Sequence, residues 1–385
     1  MANARIQSGV DVSDVKDSKN QKGAKPRTKS DKNINQEYGG NSGGSSYEET
    51  LGRKAMPNLQ SLERNVLQNI VGQDEPVRQI ITSIYKSIVF RSLKSNILIM
   101  GNSGTGKTET VKQILKRLQI PYTIEDATKY TQEGYYGSDV IEMFYNLLDS
   151  AHEDIERAQY GVIVVDEIDK KAGRFSDGER DVSGIEVLNS LLKLIEGSKI
   201  PINQYESMDT SNIIIIFLGA FSGLEKIRDE RLRKNYVGFS ISENSTDTSD
   251  SRILKQDLVQ YGFPEEFVGR IGTIVQMNKL KVEDLVSILR NSKLSIFRRY
   301  QKELRERGIC LSYSGKLFES IARKSLSLDT GARELTNTVN YIFERIMYEI
   351  LSEPNKYRRR KHVTNYHKCI LYPGIVNDNT QYRII

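Results

Sequence analysis

Eight consecutive residues, Gly101-Asn102-Ser103-Gly104-Thr105-Gly106-Lys107-Thr108, have the types and spacing of a phosphate-binding loop. The glycines let backbone N–H groups close around phosphate oxygens, and the helix that follows adds positive potential at its N-terminus. Lys107 would reach the β- and γ-phosphates, and Thr108 would offer its hydroxyl to Mg²⁺. About sixty residues later, Val162-Ile163-Val164-Val165 runs straight into Asp166-Glu167. Two adjacent carboxylates at the end of a buried strand are costly unless they serve a cation or a reaction. Asp166 would hold Mg²⁺ through its coordinated water, and Glu167 would orient and polarise an attacking water. The two motifs in one chain imply ATP hydrolysis with Mg²⁺.

These residues need a scaffold that brings two strand ends together. Apolar runs without alternation at Asn96–Met100, Val162–Val165 and Asn212–Leu218 suit parallel strands covered on both faces. Helical patterns separate them, over Glu75–Phe90, Lys107–Leu118, Asp139–Ala158 and Gly184–Ile195. The alternation predicts an α/β fold with a doubly wound parallel sheet. From Lys279 the texture changes to a long helix over Val282–Arg305, a strand at Gly308–Tyr313, helices at Gly315–Ser325 and Gly331–Leu351, and a strand at Lys368–Tyr372. We expect three regions: a flexible tail over 1–57, a large ATPase domain over 58–277 and a smaller, mostly helical domain over 278–385 that ends in a basic extension.

Several further motifs follow one another in a fixed order. Val71-Gly72-Gln73 precedes the first helix of the α/β region, and Ser95-Asn96-Ile97-Leu98 leads into the phosphate loop. Glu133-Gly134-Tyr135-Tyr136-Gly137, Asp166-Glu167-Ile168-Asp169-Lys170 and Arg180-Asp181-Val182-Ser183-Gly184 come next. Leu191-Leu192-Lys193-Leu194-Ile195-Glu196-Gly197, Gly219-Ala220-Phe221, Pro264-Glu265-Glu266-Phe267-Val268-Gly269-Arg270 and Gly331-Ala332-Arg333 complete the series. Over Leu62 to about Leu351 the chain resembles the ClpX branch of the AAA+ ATPases. The HslU branch shares several motifs but carries a large insertion between pore loop and acidic box, whereas here Gly137 and Asp166 are 29 positions apart.

The resemblance implies an AAA+ P-loop large domain followed by an AAA+ lid domain, assembled as a homo-hexamer. It makes Val71 and Gly72 contacts to adenine, Arg270 an arginine finger for the neighbouring subunit, and Arg333 a sensor-2 arginine reaching the phosphates of its own. Tyr135 and Tyr136 become a pore loop that grips unfolded polypeptide, which an amphipathic ring does without demanding a sequence. The resemblance also makes Val237-Gly238-Phe239, read as part of a polar loop between Leu224 and Ile253, a docking tripeptide for a ClpP peptidase ring. The activity implied is ATP-dependent unfolding and threading of proteins, with no peptidase activity of the chain's own. The alternatives are a remodelling chaperone that works without a peptidase and, further off, a nucleic-acid motor.

The chain departs from the family in three places. ClpX proteins usually begin with a four-cysteine zinc domain, and nothing before Cys310 supplies one. The basic loop at the pore entrance is reduced to Ser198–Met208, and Phe217-Leu218 stand where small residues are usual. The two cysteines, Cys310 and Cys369, make neither a disulfide framework nor a four-ligand site, so no zinc is expected.

Composition narrows the function classes. The 385 residues carry 56 Lys+Arg against 50 Asp+Glu, a formal charge of +6 that raises the question of nucleic acid. Residues 1–45 hold eight of those cations against five anions, and Lys356–Lys361 adds five cations, which leaves about −2 for the rest. The basicity belongs to a tail and one patch, and no DNA-reading module is recognisable. The longest apolar run, Ile213–Phe221, is far short of the ~20 residues a bilayer needs. A soluble cytoplasmic protein with no membrane partner is the expectation.

Overall fold

The structure is a computed structural model that describes residues 57–130, 140–173, 175–176, 179–180, 182–238, 252–328, 331–354, 356–357 and 367–385. Five strands build the central sheet: β1 (Asn96–Met100), β2 (Tyr122–Asp126), β3 (Val162–Asp166), β4 (Ile214–Gly219) and β5 (Ile271–Gln276). Their order is β2-β3-β4-β1-β5, and every neighbouring pair is parallel. The three expected strands are its middle. Both edges, β2 and β5, escaped the pattern because Tyr-Thr-Ile-Glu-Asp and Ile-Gly-Thr-Ile-Val-Gln mix polar with apolar residues, as a strand with one open side does.

Strand periodicity sorts the core. Ile97, Ile99, Val162, Val164, Ile214 and Ile216 face one layer, which contains helices α1 (Leu59–Leu67), α2 (Asp74–Val89) and α3 (Lys107–Leu118). Leu98, Met100, Ile163, Val165, Ile215 and Phe217 face the other, with α4 (Glu142–Ser150) and α5 (Val182–Ile195). Successive side chains point to opposite faces, so an unbroken apolar strand is what two covering layers require. Phe217, in place of a small residue, packs its ring against Phe267 at 5.0 Å.

Three expectations need correction. Asp139–Ala158 is not one helix: α4 stops at Ser150, and a separate turn covers Ile155–Ala158. His152 and Glu153 between them have φ of 62° and 60°, outside the helical region, and Asp154 starts the second piece by accepting the Arg157 N–H at 3.0 Å. The stretch read as a loop from Leu224 opens as helix α6 (Leu224–Gly238), followed by α7 (Lys255–Tyr261) and α8 (Glu265–Gly269). Its Leu, Glu, Lys and Arg residues are strong helix formers, and Arg231 pairs with the buried Asp257 of α7 at 2.8 Å.

The long helix expected over Val282–Arg305 is also two, α9 (Val282–Asn291) and α10 (Ile296–Glu306). Ser295 breaks it: its hydroxyl donates to the Leu289 carbonyl at 2.7 Å and caps α10. With α11 (Gly315–Ser327) and α12 (Ala332–Ser352), these helices cover a sheet of β6 (Ile309–Tyr313), β7 (His367–Leu371) and β8 (Tyr382–Ile384). β6 and β7 are parallel, and β8 joins antiparallel. Their core gathers around Phe297, whose ring meets Tyr313 and Phe318 at 5.0 Å and Phe343 at 5.5 Å. The tail expected over 1–57 falls almost wholly outside the described residues. Among those residues no helix is long and apolar enough to cross a membrane.

Candidate functional site: a nucleotide cleft beneath the small helical part

The phosphate loop leaves β1 between β4 and β5. The Gly101 N–H continues the ladder to the Gly219 carbonyl at 3.3 Å, and a Cβ at Gly101 would stand 2.8 Å from the Cβ of Met277, so only glycine lets the loop pass. Gly106, at φ +91°, turns the chain into α3. Lys107, the first residue of that helix, folds back so that Nζ donates to the carbonyls of Gly101 at 2.6 Å and Asn102 at 3.1 Å. Burial pushes its pKa down, against the pull of Asp166 and Asp169, with the Arg333 charge adding to the depression.

The acidic pair arrives on β3. The Thr108 hydroxyl donates to Asp166 Oδ2 at 2.7 Å, and Asp166 Oδ1 accepts the Glu167 N–H at 2.9 Å. Glu167 has φ +58°, an arrangement that costs a non-glycine residue roughly 1–2 kcal/mol. Asp169, only 2% exposed, turns inward and accepts the N–H groups of Ala220 and Phe221, both at 3.2 Å. It thereby fixes the segment that leaves β4, whose Gly219 and Ala220 line the same cleft. Just beyond, the Lys171 ammonium donates to the Tyr130 carbonyl at 2.8 Å, and Gly184 packs so close to Lys171 that a Cβ would lie 2.7 Å from its carbonyl oxygen.

A cleft of about 850 Å³ opens between this face and the small helical part. Ser103 to Thr108, Asp166 and Glu167 form one wall. Arg333, second residue of α12, faces them, and the Ala332 N–H donates to the Gly104 carbonyl at 3.1 Å. Val71, Ile288, Leu289 and Leu335 give the cleft an apolar end suited to a flat aromatic base. Gly72 sits one residue past that wall, its carbonyl accepting from the Asn278 side chain at 2.9 Å. A hydroxyl and a carboxylate already in contact are hard oxygen donors of the kind Mg²⁺ takes, and Lys107 with Arg333 complements phosphate charge. The residues present therefore fit a magnesium nucleotide.

Arg270 is the one proposed nucleotide-site residue set apart from this cleft. It caps the end of α8, stays 53% exposed and pairs with Glu196, which closes α5. Tyr135, Tyr136 and Phe239 lie outside the described residues; Val237 and Gly238 are described only as the last residues of α6. Sequence reasoning quoted Asp169, Glu196 and Gln73 inside motifs but gave them no role. For Asp169 a signal existed: a third carboxylate two positions after Glu167, in the turn leaving a buried strand, must find donors.

Comparison with known proteins agrees with this geometry. Residues 92–274 match the family model of the AAA domain (Cdc48 subfamily), and residues 280–364 match that of the C-terminal, D2-small domain of ClpB protein. The ATP-dependent Clp protease ATP-binding subunit ClpX of Bacteroides thetaiotaomicron is 34% identical over 332 residues, 80% of each chain. The proteins of the same name from Treponema denticola and Borrelia duttonii are 33% and 32% identical, over 80% and 78% of this chain and 80% and 76% of their own. The chain belongs to the ClpX family of AAA+ ATPases.

Proposed function

We propose that this chain is an ATP-driven protein unfoldase of the cytoplasm, working as a homo-hexameric ring that threads substrates through a central pore and into a ClpP peptidase. The observation that carries the reading is the meeting of Lys107, the Thr108–Asp166 pair, Glu167 and Arg333 in one cleft between two parts of one chain. The relatives' shared name, ATP-binding subunit of an ATP-dependent Clp protease, supports the peptidase partnership.

In this reading Lys107 and the loop N–H groups hold the phosphates, while Thr108 and Asp166 hold Mg²⁺. When bound, the ion would offset charge on the phosphates. Glu167, held at the cleft by its unusual backbone, orients the attacking water and takes its proton. Arg333 binds phosphate from the small part, so hydrolysis changes what holds the two parts together. Arg270, exposed and outside its own cleft, serves the neighbouring subunit, and Val71 and Gly72 border the base. Tyr135 and Tyr136 grip the substrate, and Val237-Gly238-Phe239 docks on the peptidase.

The test is ATP turnover with and without an unfolded protein. We expect stimulation by unfolded polypeptide and none by DNA; the reverse pattern would replace the reading with a nucleic-acid motor. Tyr135→Ala should hydrolyse ATP without unfolding a tagged substrate, and Phe239→Ala should unfold it without ClpP-coupled degradation. Normal unfolding by the first, or normal degradation by the second, removes that part of the proposal.

A further inference from the structure

Gln73 stands at the start of α2, where a side chain would ordinarily cap the helix, yet it makes no cap bond. It is 0% exposed, and its amide is spent elsewhere. Oε1 accepts the Asn278 N–H at 2.8 Å, and Nε2 donates to the carbonyls of Asn278 at 2.9 Å and Thr105 at 3.3 Å. Asn278 answers through its own side chain, donating to the Gly72 carbonyl.

Each partner occupies a strategic place. Asn278 is the residue after Met277, whose N–H bonds the Met100 carbonyl at 2.8 Å as the last tie to β1. Four residues later α9 begins, so Asn278 opens the connection to the small helical part. Thr105 belongs to the phosphate loop. The preceding carbonyl, Gly104, is held by the Ala332 N–H of α12. The Gly104 carbonyl is thus bonded to the small part, and the Thr105 carbonyl to Gln73, whose same amide holds the connection at Asn278.

We infer that Gln73 is a positioning residue that makes the small part's orientation and the phosphate loop's shape a single variable. The small part cannot swing about residues 277–281 without drawing on Thr105, and the loop cannot open around a phosphate without shifting Asn278. Only a primary amide of this length is acceptor to one group and donor to two. A glutamate would set a charge against two carbonyls, and an apolar isostere would leave three backbone groups without their partner, the Thr105 carbonyl in a buried place. The consequence for ATP rests on the nucleotide reading of the cleft; the mechanical link does not.

The experiment uses the full chain in a Cys310→Ser background, spin-labelled through Lys116→Cys on α3 and Tyr348→Cys on α12, both exposed positions. Labelled chain is diluted with unlabelled chain so that distances within one copy are read. The parent should give one narrow distance distribution without nucleotide, and Gln73→Met a clearly broader one. Ile321→Val, a core change in the small part, controls for loss of stability and should leave the width unchanged. Affinity for a fluorescent ATP analogue should fall about tenfold in Gln73→Met, the equivalent of one buried hydrogen bond. An unchanged distribution in folded Gln73→Met overturns the inference; should that variant not fold, Gln73→Glu is read the same way. Failure of the parent to bind the analogue would retire the nucleotide reading, while the label distances still decide the link.

Discussion

Removing the Asp169 carboxylate should damage stability and turnover together. In Asp169→Ala two backbone N–H groups, the part-buried one of Ala220 and the buried one of Phe221, lose their acceptor. Each stranded donor costs about 1–3 kcal/mol, so about 2–6 kcal/mol in all. For a unit of some two hundred residues, 1 kcal/mol moves Tm by about 2–4 °C, and a midpoint of about 4 kcal/mol predicts a fall of about 8–16 °C. Turnover should fall as well. The freed segment carries Phe221, at φ +53° and stacked on Phe263 at 5.7 Å, and Gly219 and Ala220 of the cleft wall. A displacement near 1 Å there is enough for a loss of about tenfold to a hundredfold. Asp169→Asn keeps one acceptor and should lie between. Scanning calorimetry and an ATPase assay check both effects. A Tm within about 2 °C and turnover within about twofold of the parent would refute the role given to this carboxylate.

Three other perturbations have definite outcomes. Glu167→Gln should bind ATP normally and lose about 10²–10⁴-fold in turnover, read by filter binding beside the ATPase assay; near-normal turnover assigns the water to another group. Gly331→Val should weaken nucleotide binding, because φ is +56° and a Cβ would stand 3.0 Å from the Ser103 carbonyl oxygen, forcing α12 off the loop; unchanged affinity would mean that this contact does not matter. Burial holds the Lys94 amine down to about 8 from its usual 10.5, with Asp209 pulling the other way. Between those pH values the unfolded chain binds more protons, so stability should rise with pH across that window. Lys94→Met should lack the rise in urea titrations at pH 7.5, 8.5 and 9.5, and parallel curves would show that the amine titrates normally.

Much of this was legible in the residues. Asn96–Met100 and Lys107–Leu118 coincide with β1 and α3, because a strand covered on both faces and a helix opened by a glycine turn each carry their own signal. What escaped depends on three-dimensional neighbours. β2 has a mixed pattern because an edge strand satisfies only one side, and Ser295 breaks a helix through a carbonyl six residues back. The cleft was visible as motifs, since Lys107, Asp166 and Glu167 owe their identity to chemistry. Gln73, Asn278 and Glu196 owe theirs to partners up to 206 positions away, and periodicity is blind to such distances.

The bond from Lys171 to the Tyr130 carbonyl ties the acidic turn to the end of the segment that follows β2. Tyr130 is itself buried, and its hydroxyl donates to Glu125 on β2 at 2.7 Å. Tyr130 is therefore a post fixed at three points: a buried ring, an edge strand and the ammonium four residues past Glu167. If Tyr135 and Tyr136 hold a polypeptide and Glu167 activates the water, as proposed, recoil from each pull would be received by the sheet and by the turn that carries Glu167. Resistance in the substrate would then be felt where ATP is cleaved, and a stalled load should slow hydrolysis itself.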